Sequence, residues 1–281
     1  MILVDMNQVT ISNLMIQMKD EPLSEDLVRH MVLNSLRSYK TKFSKDFGEL
    51  VLCYDDKYCW RKDYFPYYKQ NRKKARSESS LDWNELFDIL TKIQNELEEN
   101  FPYKVLKIDG AEADDIIAIL SNKISSTPNL YEEILIISGD KDFIQLHQKE
   151  NIKQYSPTLK KYVVDANPEH YKFEHIIRGD KGDGVPNVLS QDTVFVEDLR
   201  QRPITKKKLT EWKENGIPEG EIKRNYQRNK TLIDFDSIPN ELGELIYNKW
   251  VDKITQKDKS KILPYFMKHR LKELTEKLGD F

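Results

Sequence analysis

The feature that most constrains the fold of this 281-residue chain is a set of short apolar runs that lead into acidic residues. The runs are "MILVD", "ELVLCYDD", "YKVLKIDG" and "EEILIISGDKD", and they alternate with helical stretches such as "DLVRHMVLNSLRSYKTKF" and "AEADDIIAILSNKI". Strands that alternate with helices predict an α/β fold, with a central, mostly parallel sheet flanked by helices. From about residue 165 the pattern becomes mainly helical and highly charged, and the stretch 156–170 is the nearest thing to a linker.

Acidic side chains follow all four predicted strands. Because the carboxyl ends of parallel strands meet at one edge of a sheet, we expect these acids to lie together. Crowded carboxylates raise one another's pKa unless a cation lies between them. Oxygen ligands favour Mg²⁺ or Mn²⁺ over zinc, and this many carboxylates suit two ions about 3.5–4 Å apart. The seven acids are Asp5, Asp55, Glu112, Asp114, Asp115, Asp140 and Asp142.

Some of these acids have ordinary alternatives. Gly139 and Asp140 are common turn residues, so the acids of "SGDKDF" could form a solvated turn. Glu112, Asp114 and Asp115 are also the residues that a helix N-terminus favours through its dipole. A turn or a helix end explains any one acid, but it does not explain why every strand leads to one.

The formal net charge of −2 hides a segregated distribution. Basic residues cluster in 57–76, 200–208 and 223–230, whereas acids gather at the strand ends. A basic surface beside an acidic cleft suits a polyanion that is held next to bound cations. The sequence contains no apolar stretch long enough for a membrane helix and no signal-peptide pattern at its start, and Cys53 and Cys59 form no metal or disulfide pattern. A cytoplasmic location is therefore expected.

Eight motifs, taken in order, resemble the 5′ nuclease, or flap endonuclease, superfamily, and within it the ribonuclease H branch of T-even-like bacteriophages. They are "MILVD", "VLCYDD", "WRKDYFPYYKQNRKKAR", "DGAEADDIIAIL", "ILIISGDKDFIQLH", "QYSP", "GDKGDGV" and "LIDFDSIPN". The resemblance covers nearly the whole chain. It implies an α/β nuclease core over 1–170, with a basic arch at about 57–80, and a mainly helical duplex-binding region over 171–281.

The resemblance also assigns residues. It implies a metal set of Asp5, Asp55, Glu112, Asp114, Asp140, Asp142 and Asp183, with Asp115 and Asp180 nearby and supporting, and two Mg²⁺ ions for which Mn²⁺ substitutes. Arg61 and Lys69 match catalytic cations at the scissile phosphate. Nucleic-acid contacts are expected from Tyr68, Arg72, Lys73, Lys74 and Arg76, with Tyr64, Phe65 and Tyr67 as further stacking surfaces. The five histidines are scattered and predict no catalytic group, and His147 is expected to be structural.

The loop "GDKGDGVPNVLSQDTVF" departs from the family pattern. Gly184 stands where Asn is usual and Asn187 stands where Gly is usual, and the Gly-apolar-Gly signature that holds potassium is absent. We therefore expect no potassium preference in duplex binding.

The resemblance implies a Mg²⁺-dependent 5′→3′ exonuclease with RNase H and flap endonuclease activity, which removes RNA primers during phage lagging-strand synthesis in the host cytoplasm. RNA–DNA hybrids, duplex DNA and flapped DNA are the expected substrates. A phage single-stranded-DNA-binding protein and a sliding clamp are the expected partners of a monomer. Two alternatives stay open: a PIN-domain ribonuclease, and a catalytically silent, structure-specific DNA-binding protein.

Overall fold

A six-stranded sheet forms the centre of the protein, in the strand order β3-β2-β1-β4-β5-β6. The computed structural model describes residues 1–17, 23–79, 81–252 and 258–281, so Ser80, at the end of the predicted arch, lies outside it. Strands β1 to β5 pair in parallel, and β6 pairs antiparallel with β5. The predicted mostly parallel sheet is confirmed. The strands are Ile2–Asp5 (β1), Leu50–Tyr54 (β2), Lys104–Lys107 (β3), Ile134–Ile137 (β4), Ile152–Ser156 (β5) and Lys161–Val163 (β6).

Helices flank the sheet and are the main regular elements of the C-terminal part. They are Met6–Gln17 (α1), Glu25–Phe47 (α2), Arg61–Tyr64 (α3), Gln70–Ser77 (α4), Trp83–Asn100 (α5), Ala113–Ser126 (α6), Pro168–Arg178 (α7), Lys206–Asn215 (α8), Glu221–Ile233 (α9), Asn240–Asp252 (α10), Ile262–Lys268 (α11) and Lys272–Thr275 (α12). Short 3₁₀ helices span Pro128–Leu130, Lys141–Leu146, Phe235–Ser237 and Leu278–Asp280. Polar side chains cap the N-termini of several helices. The Ser24 side chain accepts a hydrogen bond from the Leu27 amide at the start of α2, and the Asp82 side chain accepts from two amides at the start of α5.

The sheet is buried on both faces because successive strand side chains point to opposite sides. Ile2 and Val4 of β1 pack into one core with α2, α5 and the C-terminal residue Phe281. Leu3 packs into the other core with α6 and α10. Burial on both faces explains why β1, β2 and β4 read as nearly continuous apolar runs.

Two predicted boundaries lie at regular secondary structure. The stretch 156–170, interpreted as a linker, contains β6, which pairs with β5 from Lys161 to Val163. The predicted division at 170/171 falls inside α7, which runs unbroken from Pro168 to Arg178. Of the residues that the structure describes, none belongs to a helix long and apolar enough to cross a membrane.

Buried polar side chains of α9 hold the loop 186–190 in place. Arg228 and Asn229 both donate to the carbonyl of Pro186, at 2.9 and 2.8 Å, and Asn225 donates to the carbonyl of Val188 at 3.0 Å. All three donors are buried, so the loop carbonyls that they contact are satisfied by the protein itself.

Candidate active site

Asp5 lies at the carboxyl end of the central strand β1, and it is buried. Its Oδ1 accepts from the Gln8 amide in the first turn of α1 at 3.0 Å, and its Oδ2 accepts from the Ser138 hydroxyl at 2.9 Å. Ser138 follows β4, which neighbours β1 on the other side from β2. The two bonds fix the carboxylate at the point where the strand order reverses, the usual place of binding sites in open α/β sheets.

Asp55 follows β2 and links two helices. Its Oδ1 accepts from the Ala113 amide at the start of α6, and its Oδ2 accepts from the Asn7 side chain of α1, both at 2.7 Å. A helix N-terminus favours a carboxylate at this position. Asp114, one residue further along α6, is thereby brought to the same edge of the sheet.

Four acids, which we call the inner carboxylates, crowd together: Asp5, Asp55, Asp114 and Asp140. Burial, reinforced by the charges of Asp55 and Asp140, raises the pKa of Asp5 to about 7. Burial and the charge of Asp142 raise the pKa of Asp140 to about 7. The pKa of Asp114 lies well above its ordinary value because it is buried next to Asp5 and Asp140. The structure thus brings together the acids that follow separate strands.

Three further acids, the outer acidic group, border the inner carboxylates: Asp142, Asp180 and Asp183. The Asp142 amide donates to Asp140 Oδ1 at 2.9 Å, and the Asp183 amide donates to Asp180 Oδ1 at 3.1 Å. Asp114 and the outer acidic group line one cavity together with Arg61 and Tyr68. The loop after α7 therefore brings Asp180 and Asp183 to the same cavity as Asp114 and Asp142.

Glu112 lies in the site but is already paired with cations. Lys69 Nζ donates to its Oε1 at 2.5 Å, and Arg61 Nη1 lies 3.1 Å from its Oε2. Burial alone would raise the pKa of Glu112, but the two cations outweigh that effect and hold it at about 2. Lys69 Nζ also lies 3.5 Å from Asp183, so it stands between the inner carboxylates and the loop.

Arg61 and Asp115 form a buried pair beside Glu112. Arg61 is 3% exposed and donates to both oxygens of Asp115, at 2.8 and 3.0 Å, and to the carbonyl of Leu232 at 2.8 Å. Asp115 also accepts from the Trp60 indole and from the Glu112 amide. With its donors used, Arg61 anchors α3 to α6 and α9 and does not present a free cation to a phosphate. The oxygens of Asp115 are likewise occupied and not available to an ion.

Tyr68 does not present a stacking surface in this structure. It is buried, and its hydroxyl lies within hydrogen-bond distance of Glu112, at 3.0 Å, and of Asp183, at 2.7 Å. Phe65 is also buried, packed edge-on against the half-buried Tyr67. Tyr64 alone among the four arch aromatics is an exposed ring. Tyr68 holds Glu112 and Asp183 in this structure, and its contact with nucleic acid stays a prediction.

The cations of the predicted arch differ in their availability. Arg72 pairs with Asp183 and donates to the Gly182 carbonyl, and Lys74 pairs with Asp198. The Arg76 guanidinium lies 5.2 and 4.9 Å from the ring centres of Trp83 and Phe87. Lys73 is exposed and forms no ion pair within the described part of the chain.

The arch base, residues 67–72, is bonded to the loop 181–184. The Lys69 amide donates to the Asp183 carbonyl at 2.7 Å, and the Asn71 side chain donates to the Lys181 carbonyl at 2.6 Å. Gly184 has φ +71°, and a β-carbon there would lie 3.2 Å from the Tyr67 carbonyl oxygen. The glycine at this position thus allows the close approach that places Lys69 beside Asp183.

His175, in the last turn of α7, is a site residue that the sequence did not indicate. Its Nε2 lies 2.9 Å from Asp142 Oδ1 and 3.8 Å from Asp180 Oδ2. It reaches them because α7 packs on the 3₁₀ helix that carries Asp142, a contact between segments far apart in sequence. The sequence assigned no site role to any histidine, whereas the structure places His175 beside two of the acids. His147 fits its predicted structural role, since it contacts Gln154 at 3.0 Å.

The inner carboxylates suit a divalent cation. They offer only oxygen donors, hydrogen bonds fix the orientation of Asp5 and Asp55, and mutual repulsion raises the pKa of Asp5, Asp114 and Asp140. A cation between them removes that repulsion. Hard oxygen ligands match Mg²⁺ or Mn²⁺.

Solved structures share this fold. The 5′-exonuclease of bacteriophage T5 with bound zinc superposes with a TM-score of 0.61 at 18% identity, covering 90% of this chain and 97% of that one. The T5 flap endonuclease in complex with DNA and metal ions gives a TM-score of 0.61 at 17% identity, covering 89% and 96%.

One sequence relative covers nearly the whole chain, and another covers about half of it. The ribonuclease H of Enterobacteria phage T4 is 37% identical over 295 aligned residues, which cover 99% of this chain and 95% of that protein. A 5′-3′ exonuclease of Buchnera aphidicola (from Acyrthosiphon pisum) is 30% identical over 51% of this chain and 49% of its own length. Residues 16–175 match the family described as 5′-3′ exonuclease, N-terminal resolvase-like domain, and residues 166–281 match T4 RNase H, C terminal. The chain therefore belongs to the 5′-3′ exonuclease family, in the branch of the phage T4 ribonuclease H, and is a nuclease.

Proposed function

We propose that this protein is a Mg²⁺-dependent 5′→3′ exonuclease with RNase H and flap endonuclease activity, which removes RNA primers from lagging-strand fragments in phage DNA replication. The observation that carries the proposal is the cluster of inner carboxylates at the switch point of a parallel sheet. A protein that only binds DNA gains nothing from acids directed at phosphate, whereas phosphodiester hydrolysis uses cations held there. Membership of the family supports the same reaction class.

We assign two Mg²⁺ ions to this site, with Mn²⁺ as a substitute. Asp5, Asp55, Asp114 and Asp140 would hold one ion, and the outer acidic group, next to Asp140, would hold the second. Such a pair would supply an activated water and charge stabilisation for the leaving oxygen. Glu112 supports the site through Lys69 and Tyr68, and it becomes a ligand only where these partners release it.

The protein's own groups orient the acids and supply positive charge. Asn7, Ser138 and the Ala113 amide fix two of the inner carboxylates, so the site is preorganised. Lys69 is the cation that we assign to the scissile phosphate, because its Nζ already lies among the acids. Arg61 acts through Glu112 and Asp115 as a positioning residue.

The basic arch and the helical region are proposed to bind the nucleic acid. Lys73 is available to phosphate directly, whereas Arg72 and Lys74 exchange an internal carboxylate for a phosphate when substrate binds. We propose residues 1–170 as the nuclease core and 171–281 as the duplex-binding region, with RNA–DNA hybrid, duplex DNA and flapped DNA as substrates. A monomer in the host cytoplasm, working with a single-stranded-DNA-binding protein and a sliding clamp, completes the proposal.

Cleavage of end-labelled nicked, flapped and RNA-primed duplexes, with Mg²⁺ or with EDTA, tests this function. We expect short products from the 5′ end with Mg²⁺ and none with EDTA. Asp140→Asn and Asp55→Asn should abolish cleavage but retain substrate binding. Asp56→Asn is the matched control. Asp56 is the next residue along the chain, but it accepts its hydrogen bond from the Gly110 amide, at 3.1 Å, and not from a group of the site.

The alternatives give different results in the same assay. A PIN-type ribonuclease would cut single-stranded RNA internally and leave the duplexes intact. A silent binding protein would shift every substrate in a gel but release no product. A tenfold loss of rate corresponds to about 1.4 kcal/mol of activation free energy. If Asp140→Asn or Asp55→Asn loses less than that, the metal assignment is contradicted.

A further inference from the structure

His175 lies where the outer acidic group meets α7, and its surroundings suit a bound cation. The ligating atoms of His175, Asp142 and Asp180 all lie within 4.8 Å of one another. The His175 side chain is 17% exposed, as is that of Asp142, so the cluster is sheltered but open on one side. Nitrogen and oxygen donors at this separation can reach one ion with only small movements.

The imidazole is held in a fixed orientation. The ring of Tyr171, one helical turn earlier, stacks on it with a centroid distance of 5.6 Å and an interplanar angle of 22°. Asp180 is fixed as well, because the Asp183 amide binds its Oδ1 and leaves Oδ2 for the His175 side. The donors are thus positioned by contacts that do not use the ligating atoms of His175 and Asp180.

The ring nitrogen nearest the acids lacks a satisfactory partner. His175 Nε2 is buried and makes no hydrogen bond of acceptable geometry to any described residue, although Asp142 Oδ1 is only 2.9 Å away. A cation between the ring nitrogen and the two carboxylates would satisfy all three groups.

We propose that His175, Asp142 and Asp180 form a cation site with a nitrogen ligand, which binds Mn²⁺ in preference to Mg²⁺. Imidazole is a good ligand for first-row transition ions, whereas Mg²⁺ takes oxygen ligands almost exclusively. The inner carboxylates offer oxygen alone, so the two halves of the site differ in the metal they select. The inference rests on the proposed function, since Asp142 and Asp180 belong to the acids assigned there to the second ion.

Electron spin echo spectroscopy of the Mn²⁺-loaded protein tests the inference directly, without reference to catalysis. We expect ¹⁴N modulation from a directly bound nitrogen, and we expect it to change to the ¹⁵N pattern in protein labelled with ¹⁵N-histidine. These two spectra need no variant, so the test does not depend on a variant that folds. Mn²⁺ bound without histidine modulation would overturn the proposal.

Two variants test whether His175 supplies the bound nitrogen. His175→Gln should lose the modulation and bind this Mn²⁺ about tenfold or more weakly in a calorimetric titration, a loss of the size seen when a ligand is disturbed. Its Mg²⁺ affinity should change much less, because Mg²⁺ does not use the nitrogen. His170→Gln is the matched control: His170 lies on the same helix with its side chain 43% exposed, and the variant should keep the wild-type spectrum.

The result separates this inference from the proposed function. Histidine modulation that disappears in His175→Gln supports the nitrogen ligand even in a preparation that does not cleave. Active enzyme whose bound Mn²⁺ shows no histidine modulation, or whose modulation persists in His175→Gln, refutes the ligand and leaves the nuclease assignment standing.

Discussion

Removing one inner carboxylate should stabilise the metal-free protein. In Asp140→Asn the amide oxygen can still accept the hydrogen bond from the Asp142 amide, while the charge is lost. Burial and Asp142 raise the pKa of Asp140 from the ordinary 3.8 to about 7. At about 1.4 kcal/mol per pH unit, ionising this carboxyl at pH 8 costs up to about 4 kcal/mol of folding free energy.

We expect about half of that cost to be recovered, because Asp140 keeps some contact with water and shares its repulsion with Asp142. A gain of about 2 kcal/mol in the free energy of unfolding raises the melting temperature by roughly 4–8 °C for a chain of this size. The stability difference between the variant and wild type depends on pH. Between pH 4 and 7 the folded wild type binds more protons at Asp140 than the unfolded chain, so its stability falls as pH rises. The advantage of the variant should therefore be full at pH 8 and absent near pH 4.

Urea denaturation and thermal melts in EDTA at pH 8 and pH 4.5 measure this effect. Asp56→Asn serves as control, because hydrogen bonds from the Gly110 amide and its neighbours outweigh burial and lower the pKa of Asp56, so its removal should give no gain. Mg²⁺ at a hundredfold excess over Kd should stabilise wild type by about 2.7 kcal/mol, and Asp140→Asn by less. Equal stability of Asp140→Asn and wild type in EDTA at pH 8, with an equal response to Mg²⁺, would show that Asp140 is a solvated turn residue.

Three further predictions concern the arch, its anchor and the loop. Lys69→Ala should lower the single-turnover rate more than the substrate affinity, because other cations share binding; a normal rate with weakened binding would make Lys69 an ordinary phosphate contact. Arg61→Ala should destabilise the fold by about 3–5 kcal/mol in urea, since it leaves Asp115 buried and unpaired; a loss below about 1 kcal/mol would contradict its anchoring role. Potassium and sodium at equal ionic strength should give the same duplex affinity in a binding titration, because α9 side chains already occupy carbonyls of the loop 186–190, while total salt should weaken binding steeply. A potassium preference would show that other carbonyls of the loop hold the ion.

The sheet and the inner carboxylates were predictable because they follow from local patterns. Asp5, Asp55 and Asp140 each come directly after or close to an apolar strand, and parallel strands deliver their ends to one edge. The fold class followed from the same alternation of strands and helices. β6 escaped detection because its three residues are largely exposed and carry no apolar run.

The direction of the arch side chains could not be predicted from the sequence. Spacing gives no means of telling that Tyr68 is buried while Tyr64 is exposed, since both lie in one aromatic stretch. The sequence suggests that Arg61 is a cation at the surface, but packing against α6 and α9 buries it. His175 carries no local signal at all, because its position depends on how α7 packs against the 3₁₀ helix after β4.

The hydrogen bonds between the arch base and the loop 181–184 limit how chimeras of related proteins can be made. The arch lies within the region that matches the exonuclease N-terminal domain, and the loop lies within the region that matches the T4 RNase H C-terminal domain. Lys69 and Asp183, one from each region, are nevertheless joined through both backbone and side chain. A chimera cut near residue 170 would pair an arch with a foreign loop, so an exchanged arch has to bring residues 181–184 with it.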